Sequence, residues 1–321
     1  MNNDIEYIKS TFKGNADFII RDFILNKKDI LYIVFFESLC DTKSIYEFVV
    51  KNVENHIVLN KKINNIKNII SSPKINKIKS VEDCFYFMEN GFCIIIFKNE
   101  YYAIEVKADI DRGITLAQTE PSMYGSKDSF CENYQKNLGV IKRRIKNKDL
   151  KVDSIDTGVY TKSRTSLIYL NDKVNFNKLK KIKSKLNECN EKEIIDSEDI
   201  CKELEQNYVF PTIIKTEKPA IVAKYILKGY VVILVDNSPF VLIIDSKFSD
   251  FINPATNDDF VKILRYACLF LTILTPAIYI ALINFNQETI PLSLLINFTE
   301  QRDTVPFPAV IEALLMLFTC E

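Results

Sequence analysis

Apolar and polar residues alternate in two ways along residues 1–255, with a period of two in some segments and a helical period in others. The first kind of segment is rich in β-branched and aromatic residues and comes in pairs around short polar turns, which predicts β-hairpins. The four predicted hairpins lie at residues 17–36, 92–108, 150–170 and 230–247. The second kind predicts helices, which begin near Thr42, Val81, Phe176 and Ala220. A Lys- and Asn-rich stretch at 61–80 fits a helix or a loop.

The order of these predicted elements in the first half of the chain recurs in the second half. Aligned without gaps, the segment that begins at Gly91 matches the segment that begins at Gly229, an offset of 138 residues. This alignment places Asn99 on Asn237, and each asparagine lies in the predicted turn of its hairpin. Two subdomains of similar architecture would produce this pattern.

The first hairpin of each half gives a second, independent match. It has an offset of about 136 residues and pairs Leu31 with Leu167. Agreement between two elements predicts an α+β fold with two similar mixed α/β subdomains, each a four-stranded type of sheet with helices. A general likeness between β-hairpins is the alternative explanation.

The segment between the two halves predicts a helix from Lys127 to about Lys148. Its buried face would be formed by apolar residues at helical spacing, namely Phe130, Leu138, Ile141 and Ile145. A basic cluster, KRRIKNKDLK, covers residues 142–151 at the end of this helix. Cations favour the C-terminal end of a helix dipole, so a solvated helix end is the expected role of the cluster.

The composition and the absence of catalytic signatures point away from an enzyme. The 42 basic residues are balanced by 42 acidic ones, which gives no general reason to expect a nucleic-acid partner. The eight cysteines include no C-x-x-C pair and the only histidine is His56, so we expect no metal site and no cofactor. No glycine-rich phosphate loop or nucleophile motif is present. The polar N-terminus resembles no signal peptide, and we expect reduced thiols facing the cytosol.

A long apolar stretch near the C-terminus predicts a membrane span at about residues 266–285. It contains Pro276, which is costly in a water-soluble helix and tolerated in a membrane helix. Lys262 and Arg265 precede it, and the positive-inside rule then places the N-terminal region in the cytoplasm. The alternative is a helix buried on all sides within a soluble core.

A second apolar segment follows at residues 305–319 and is too short to cross a bilayer comfortably. The membrane domain therefore looks incomplete, and truncation, a split gene or a partner that supplies further spans would each explain it. The predicted domains are an α/β subdomain at 1–117, a second at 118–256 and a membrane region at 257–321.

Three ordered motifs carry a resemblance to a known protein family. They read FKGNADFIIRDF, TEPSMYGSKDSFCENYQKNLGVIKRRIKNKDLKV and LTPAIYIALINFNQETIPLSLLINFTEQRDTVPFPAVIEALLM. From about Phe12 to its end the chain resembles the A subunits of nutrient germinant receptors, the GerA spore germination family. The residues that match its central motif are Glu120, Pro121, Gly125, Asp128 and Phe130, with departures at Tyr124, Ser126 and Ser129. In the membrane motif the chain has Asn286 and keeps Gln287, Glu288, Ile290 and Pro291, and Arg302 and the Pro306-Phe307-Pro308 run also match.

The resemblance implies a subunit of the spore inner membrane that assembles with B and C subunits and acts in germinant-triggered ion release, with an oligomeric channel as the expected form. The polar residues placed inside that membrane assembly would be Gln287, Glu288, Arg302 and Glu312. Ordinary salt bridges or interfacial positions are the alternative for these residues. A non-conducting cytosolic scaffold or ligand-sensing module with a single membrane anchor is the alternative function.

Overall fold

The hairpin predicted at residues 17–36 forms one side of a five-stranded sheet in the computed structural model. The structure describes residues 2–25, 29–59, 66–72, 74–109, 126–189, 192–205, 211–252, 259–302, 307–308, 310–311 and 314–315. Two units divide the chain, residues 1–248 and residues 249–321. The predicted domain boundaries near residues 117 and 256 lie outside the described residues.

The first subdomain of the N-terminal unit runs from the first helix to the end of the fifth strand. Its helical segments are α1 (Asn2–Thr11), α2 (Thr42–Ile45), a π-helical segment (Tyr46–Val50), α3 (Lys51–Val58), a 3-10 helix (Ile66–Asn68) and α4 (Val81–Glu89). Its strands are β1 (Phe18–Ile24), β2 (Ile30–Phe36), β3 (Ile75–Ile78), β4 (Phe92–Phe97) and β5 (Glu100–Glu105).

The second subdomain repeats that order. Its helices are α5 (Tyr134–Arg144), α6 (Phe176–Glu188), α7 (Ser197–Glu205) and α8 (Pro219–Leu227). Its strands are β6 (Leu150–Thr157), β7 (Ser163–Leu170), β8 (Ile214–Thr216), β9 (Val232–Val235) and β10 (Val241–Ile243). The two antiparallel sheets have the same topology, β1-β2-β4-β5-β3 and β6-β7-β9-β10-β8. This confirms the predicted fold class.

Each sheet is covered by helices on both faces because its central strands are apolar on both sides. In β4, Ile95 packs into a core with the segment from α2 to α3, whereas Ile94 packs into a core with α1 and α4. In the second subdomain, residues of α6 and α7 share a core with Leu167 and Ile233 of the sheet. Such double coverage buries most of the apolar surface of the sheet.

Equivalent turns confirm the alignment that the sequence predicts between the two halves. Gly91 and Gly229 follow α4 and α8, and both have positive φ angles, +78° and +91°. Asn99 and Asn237 also have positive φ angles, 62° and 60°, as tight hairpin turns require.

Strand pairing corrects the predicted match between the first hairpins by two residues. Ile33 pairs with Ile95 and Leu167 pairs with Ile233, so Leu167 takes the place of Ile33 and not of Leu31. The offset is therefore 134 residues. An error of two keeps every side chain on the same face of its strand, which is why the hydrophobic pattern alone does not detect it.

Two parts of the sequence prediction differ from the structure. Each sheet has five strands, because β3 and β8 add an edge strand that the four-stranded prediction missed. The helix predicted from Lys127 is confined to α5. Asn133 caps α5 by accepting a hydrogen bond from the backbone N–H of Lys136 at 3.0 Å. The preceding residues are not helical, and the N–H of Phe130 donates to the carbonyl oxygen of Glu217 at 2.8 Å.

The C-terminal unit consists mainly of helices in its described part. They are α9 (Phe248–Ile252), which begins at the last residue of the first unit, α10 (Asp259–Ile280), a π-helical segment (Ala281–Phe285), a 3-10 helix (Gln287–Thr289) and α11 (Leu292–Arg302). Residues 260–283 form one continuous helical stretch, and an 18-residue window within it has a mean hydropathy of 2.1 and is 6% buried. Its length and composition suit a membrane crossing.

Candidate functional site

The two subdomains meet at a buried ion pair. Asp17, the residue before β1, is fully buried, and its carboxylate accepts hydrogen bonds from the backbone N–H and the hydroxyl of Ser38 at 2.9 and 2.6 Å. Lys142 of α5 donates to the same carboxylate at 2.5 Å. The Lys142 side chain is 5% exposed. A charged pair with so little exposure to solvent needs additional hydrogen bonds, and Ser38 supplies them.

Apolar and sulfur groups surround this pair. The Lys142 ammonium lies 3.8 Å from the centre of the Phe36 ring. Burial lowers the pKa of Lys142, and the charge and hydrogen bond of Asp17 oppose that effect. Burial, with a smaller contribution from Asp17, raises the pKa of the Cys40 thiol to about 12. Cys40 is therefore a protonated thiol at neutral pH and a poor nucleophile.

Main-chain bonds extend the interface on either side of the ion pair. The N–H of Ala16 donates to the carbonyl oxygen of Val152 in β6 at 2.9 Å. Lys151 of β6 donates to the carbonyl oxygen of Thr11 at the end of α1 at 2.6 Å. The C-terminal end of α1 and the residues before β1 are thus hydrogen-bonded to β6, an edge strand of the second sheet.

A groove of about 240 Å³ lies beside this interface and is lined by both subdomains. The first subdomain contributes Glu89, Asn90 and Lys107, and the second contributes Arg143 of α5 and Lys146, which follows the helix. Lys146 donates to the side-chain oxygen of Asn90 at 2.5 Å. Burial raises the pKa of Glu89, and the nearby lysines partly offset this effect. The groove is small, polar and mainly cationic, which suits a small molecule that carries an anionic group.

Only part of the central motif of the family resemblance lies among the described residues. Glu120, Pro121 and Gly125 lie outside the described residues. Asp128 forms an ion pair with Arg144 of α5. Burial alone would raise the pKa of Asp128, but hydrogen bonds from Ser126 and Arg144 outweigh burial and lower it.

Phe130 completes the described part of this motif. Its side chain is 1% exposed, as predicted from the apolar spacing. The described residues of the motif, Asp128 and Phe130, therefore anchor the start of the second subdomain. A role of the motif in linking the two subdomains stays a prediction.

The sequence interpretation missed Asp17 and Lys142, although both lie in segments that carry the family resemblance. The basic cluster was expected to be solvated, and this is wrong for Lys142. A signal was present, because Leu138, Ile141, Lys142 and Ile145 follow the i, i+3, i+4, i+7 spacing of one buried helix face. Among the residues that the structure describes, no cluster of histidine, cysteine or acidic side chains could hold a metal ion.

Comparison with known proteins decides the family. A model described as Bacillus/Clostridium GerA spore germination protein matches residues 6–321. This chain belongs to the GerA family. The match includes the ion pair, the groove and the apolar helix.

Relatives of this GerA-family chain include spore germination protein KA of Bacillus subtilis, 29% identical over 335 residues, which cover 98% of this chain and 60% of the relative. Spore germination protein XA of Bacillus anthracis is 30% identical over 250 residues, 74% of this chain and 51% of the relative. The chain thus spans roughly half to two thirds of the length of these relatives.

A solved structure shares the fold. It is the crystal structure of the N-terminal domain of the A subunit of the Bacillus megaterium spore germinant receptor GerK3. The TM-score is 0.54 at 23% identity, and the match covers 77% of this chain and 95% of the solved domain. A likeness at this identity shows the fold alone.

The membrane-motif residues of this GerA-family chain are only partly described. Glu288 lies in the 3-10 helix after Asn286 and is exposed within the described structure. Arg302 ends α11, and the side chains of Gln287 and Arg302 lie outside the description, as does Glu312. Their predicted polar contacts therefore stay predictions.

Proposed function

We propose that this chain acts as the A subunit of a nutrient germinant receptor and helps to transmit germinant binding to ion release from the spore. The observation that carries the proposal is the family match, which runs through the N-terminal unit and the apolar helix alike. Relatives that match almost the whole chain include spore germination proteins. The role is one of binding and transmission, without catalysis.

The proposed location is the spore inner membrane, with the N-terminal unit in the cytoplasm. The helix at residues 260–283 would cross the bilayer, and Lys262 near its start agrees with a cytoplasmic N-terminal side. Charged and amide side chains are costly in hydrocarbon unless they meet a partner or water. The polar residues of the membrane motif, Gln287, Glu288, Arg302 and Glu312, would therefore contact one another, other copies of the chain in a homo-oligomer, or the B and C subunits.

The groove between the subdomains is the proposed place where a small nutrient affects this subunit. Both subdomains line it, so a ligand bound there would change the free energy of their association. Arg143 and Lys146 would attract an anionic group such as a carboxylate. The ion pair of Lys142 with Asp17 would hold the subdomains in register while the groove is empty or filled.

A non-conducting, membrane-anchored sensing module is the second candidate. A single helix qualifies as a membrane span among the described residues, and one helix alone forms no ion pathway. In this alternative the chain would sense or dock, and its partners would conduct.

Deletion and complementation in spores tests the proposal. Spores that lack the gene should release potassium more slowly in rich nutrient medium, and the wild-type gene should restore release. A non-nutrient trigger controls for spore viability and should act equally on both strains. Equal nutrient responses with and without the protein would rule out the receptor role.

To separate the two candidates, the chain and its partner subunits would be placed in liposomes. Nutrient-dependent potassium flux that needs this chain's membrane residues would support conduction over anchoring.

A further inference from the structure

Lysine side chains line a surface groove whose lining residues all belong to the second subdomain. Two adjoining grooves of about 250 and 230 Å³ share the residues Lys178, Ile182, Ile244 and Asp245 and so form one surface, here named the lysine groove. Its six lysines are Lys173, Lys178, Lys181, Lys185, Lys228 and Lys247. Asp245 is the only acidic residue among the described residues that line it, and it pairs with Lys178. In a chain with no net charge, this is a marked local excess of positive charge.

The internal repeat shows that the fold does not require lysine at three of these positions. Asp41 and Asn175 are equivalent, because each caps the helix after its hairpin by accepting hydrogen bonds from N–H groups two and three residues ahead. That equivalence places Leu39 at the position of Lys173 and Ser44 at the position of Lys178. The match of Gly91 with Gly229 likewise places Asn90 at the position of Lys228.

Lys247 has a lysine counterpart in the first subdomain. Tyr102 pairs with Ile95, and Leu242 pairs with Ile233, so the offset beyond the last hairpin turn is 140 residues. Lys107 is therefore the equivalent of Lys247. Three of these four lysine positions are uncharged in the first subdomain, although the sheet and its helices have the same arrangement. We therefore attribute the positive charge to the binding of a ligand and not to the requirements of folding.

Exposed apolar side chains border the same groove. Phe176, Leu227 and Phe248 are 53%, 47% and 67% exposed, and each is adjacent in sequence to a residue that lines the groove. Their equivalents in the first subdomain are the smaller or polar residues Thr42, Glu89 and Ala108. Lysines together with exposed apolar residues are typical of a surface that lies in a membrane interface.

We propose that the lysine groove and its apolar rim dock on an anionic phospholipid bilayer. Its cations are all lysines, which act as point charges and suit a diffuse layer of phosphates better than a fixed bidentate partner. The apolar rim favours a bilayer over nucleic acid or a free anion, because neither would cover Phe176 or Phe248. Lys247 precedes the apolar helix by 13 residues, five of them in α9, and this length reaches at most roughly 35 Å, so a bilayer is within reach of the groove.

The first test uses residues 1–248, which contain the hydrophobic cores of both subdomains and match a domain that was solved as a separate chain. This fragment should sediment with phosphatidylcholine vesicles that contain phosphatidylglycerol and not with vesicles of phosphatidylcholine alone. Added salt should weaken binding. The triple variant Lys181→Gln, Lys228→Gln, Lys247→Gln should bind on the order of 100-fold more weakly, since each lysine near an anionic surface contributes roughly a factor of five.

The matched control removes the same charge from exposed lysines of the first subdomain, Lys9, Lys43 and Lys51, again by substitution with Gln. It should retain binding to within a few fold. Circular dichroism and thermal melting establish that each variant is folded. Equal losses in the two triple variants would show a general charge effect and overturn the proposal. So would binding to an oligonucleotide but not to the vesicles, or full competition by millimolar inorganic phosphate at constant ionic strength.

A second measurement uses the full chain reconstituted in vesicles. Lys181 and Lys228 would be acetylated with a water-soluble, amine-reactive acetylating reagent, and the rate would be followed by mass spectrometry. Acetylation of both lysines should be several-fold slower when phosphatidylglycerol is present. Acetylation of Lys43 should not change. Equal labelling rates in both lipids would contradict docking in the intact protein. Neither measurement depends on germinant response, so the receptor role can fail while this inference holds.

Discussion

Lys142 of the second subdomain and Asp17 of the first form a buried ion pair, with 2.5 Å between the ammonium nitrogen and one carboxylate oxygen. The pair lies where the first strand of one sheet begins and where helix α5 opens the other subdomain. Each charge is compensated mainly by the other, and Ser38 supplies the remaining hydrogen bonds to the carboxylate. This contact between the two subdomains therefore requires both charges to be present.

The first prediction concerns the loss of one partner. Asp17→Asn or Lys142→Met should each lower the free energy of unfolding of residues 1–248 by about 3–5 kcal/mol, because an uncompensated charge is left buried. The double variant should be more stable than the sum of the single changes predicts. Urea unfolding followed by circular dichroism measures all four proteins.

A surface ion pair provides the control for this cycle. Arg21 and Glu54 approach to 3.5 Å, but their side chains are 56% and 45% exposed. Arg21→Met should therefore cost about 0–1 kcal/mol. If Lys142→Met and Arg21→Met proved equally mild, the buried pair would not hold the subdomains together.

The second prediction is a pH dependence at the start of the second subdomain. The pKa of Asp128 is lowered in the folded protein, so its stabilising contribution is present above its unfolded pKa and is lost as pH falls through the folded pKa. Below about pH 4 the wild-type domain should lose more stability than Asp128→Asn does, since the unfolded pKa of aspartate is about 3.9. Urea unfolding at neutral pH and at about pH 3 compares them. Arg144→Gln removes the partner and should reduce the same pH dependence; an unchanged slope in both variants would contradict the assignment.

Hydrophobic periodicity predicted the two-subdomain fold because the central strands are buried and strongly apolar. It missed β3, whose sequence Ile-Asn-Lys-Ile lies in a Lys- and Asn-rich stretch, and it missed β8, which has only three residues. Both strands lie at a sheet edge, where solvent on one side removes the need for an apolar pattern. Edge strands are recognised by pairing with a neighbour, which is tertiary information.

The buried ion pair was harder to predict for a different reason. Lysine is seldom buried, so Lys142 among other basic residues looked like part of a solvated helix end. Its position on the apolar face of α5 was readable, but its partner is 125 residues away in sequence. Nothing local in the sequence indicates that Asp17, in front of a strand, would lie opposite this lysine.

The third prediction uses three glycines with similar positive φ angles. An added Cβ at Gly229 would lie 2.7 Å from the carbonyl oxygen of Lys173, and one at Gly91 would lie 3.0 Å from that of Leu39. At Gly14 nothing lies within 4 Å. Substitution by alanine should cost about 1–2 kcal/mol at Gly14 from backbone strain alone. The cost should be larger at Gly91 and largest at Gly229, where backbone must move.

Thermal and urea unfolding of residues 1–248 rank the three alanine variants. Gly14→Ala measures the cost of the backbone conformation, so subtracting it isolates the steric contribution at the other two sites. Equal destabilisation at all three positions would mean that the close approaches to Leu39 and Lys173 relax without cost. The order Gly229, Gly91, Gly14 would confirm that both subdomains use a glycine at the same point because of backbone crowding.

The last prediction tests the proposed polar contacts of the membrane motif. Glu288 follows the apolar helix, and a carboxylate near hydrocarbon persists only where a partner or water compensates it. Glu288→Gln should therefore slow nutrient-triggered potassium release from spores several-fold at unchanged protein abundance. Glu300→Gln, at an exposed position in α11 that is not one of the four predicted polar contacts, removes the same charge and should leave release unchanged. Equal rates in wild type and Glu288→Gln would leave the carboxylate without a role in transmission, whereas a loss of protein in Glu288→Gln spores would assign it to assembly.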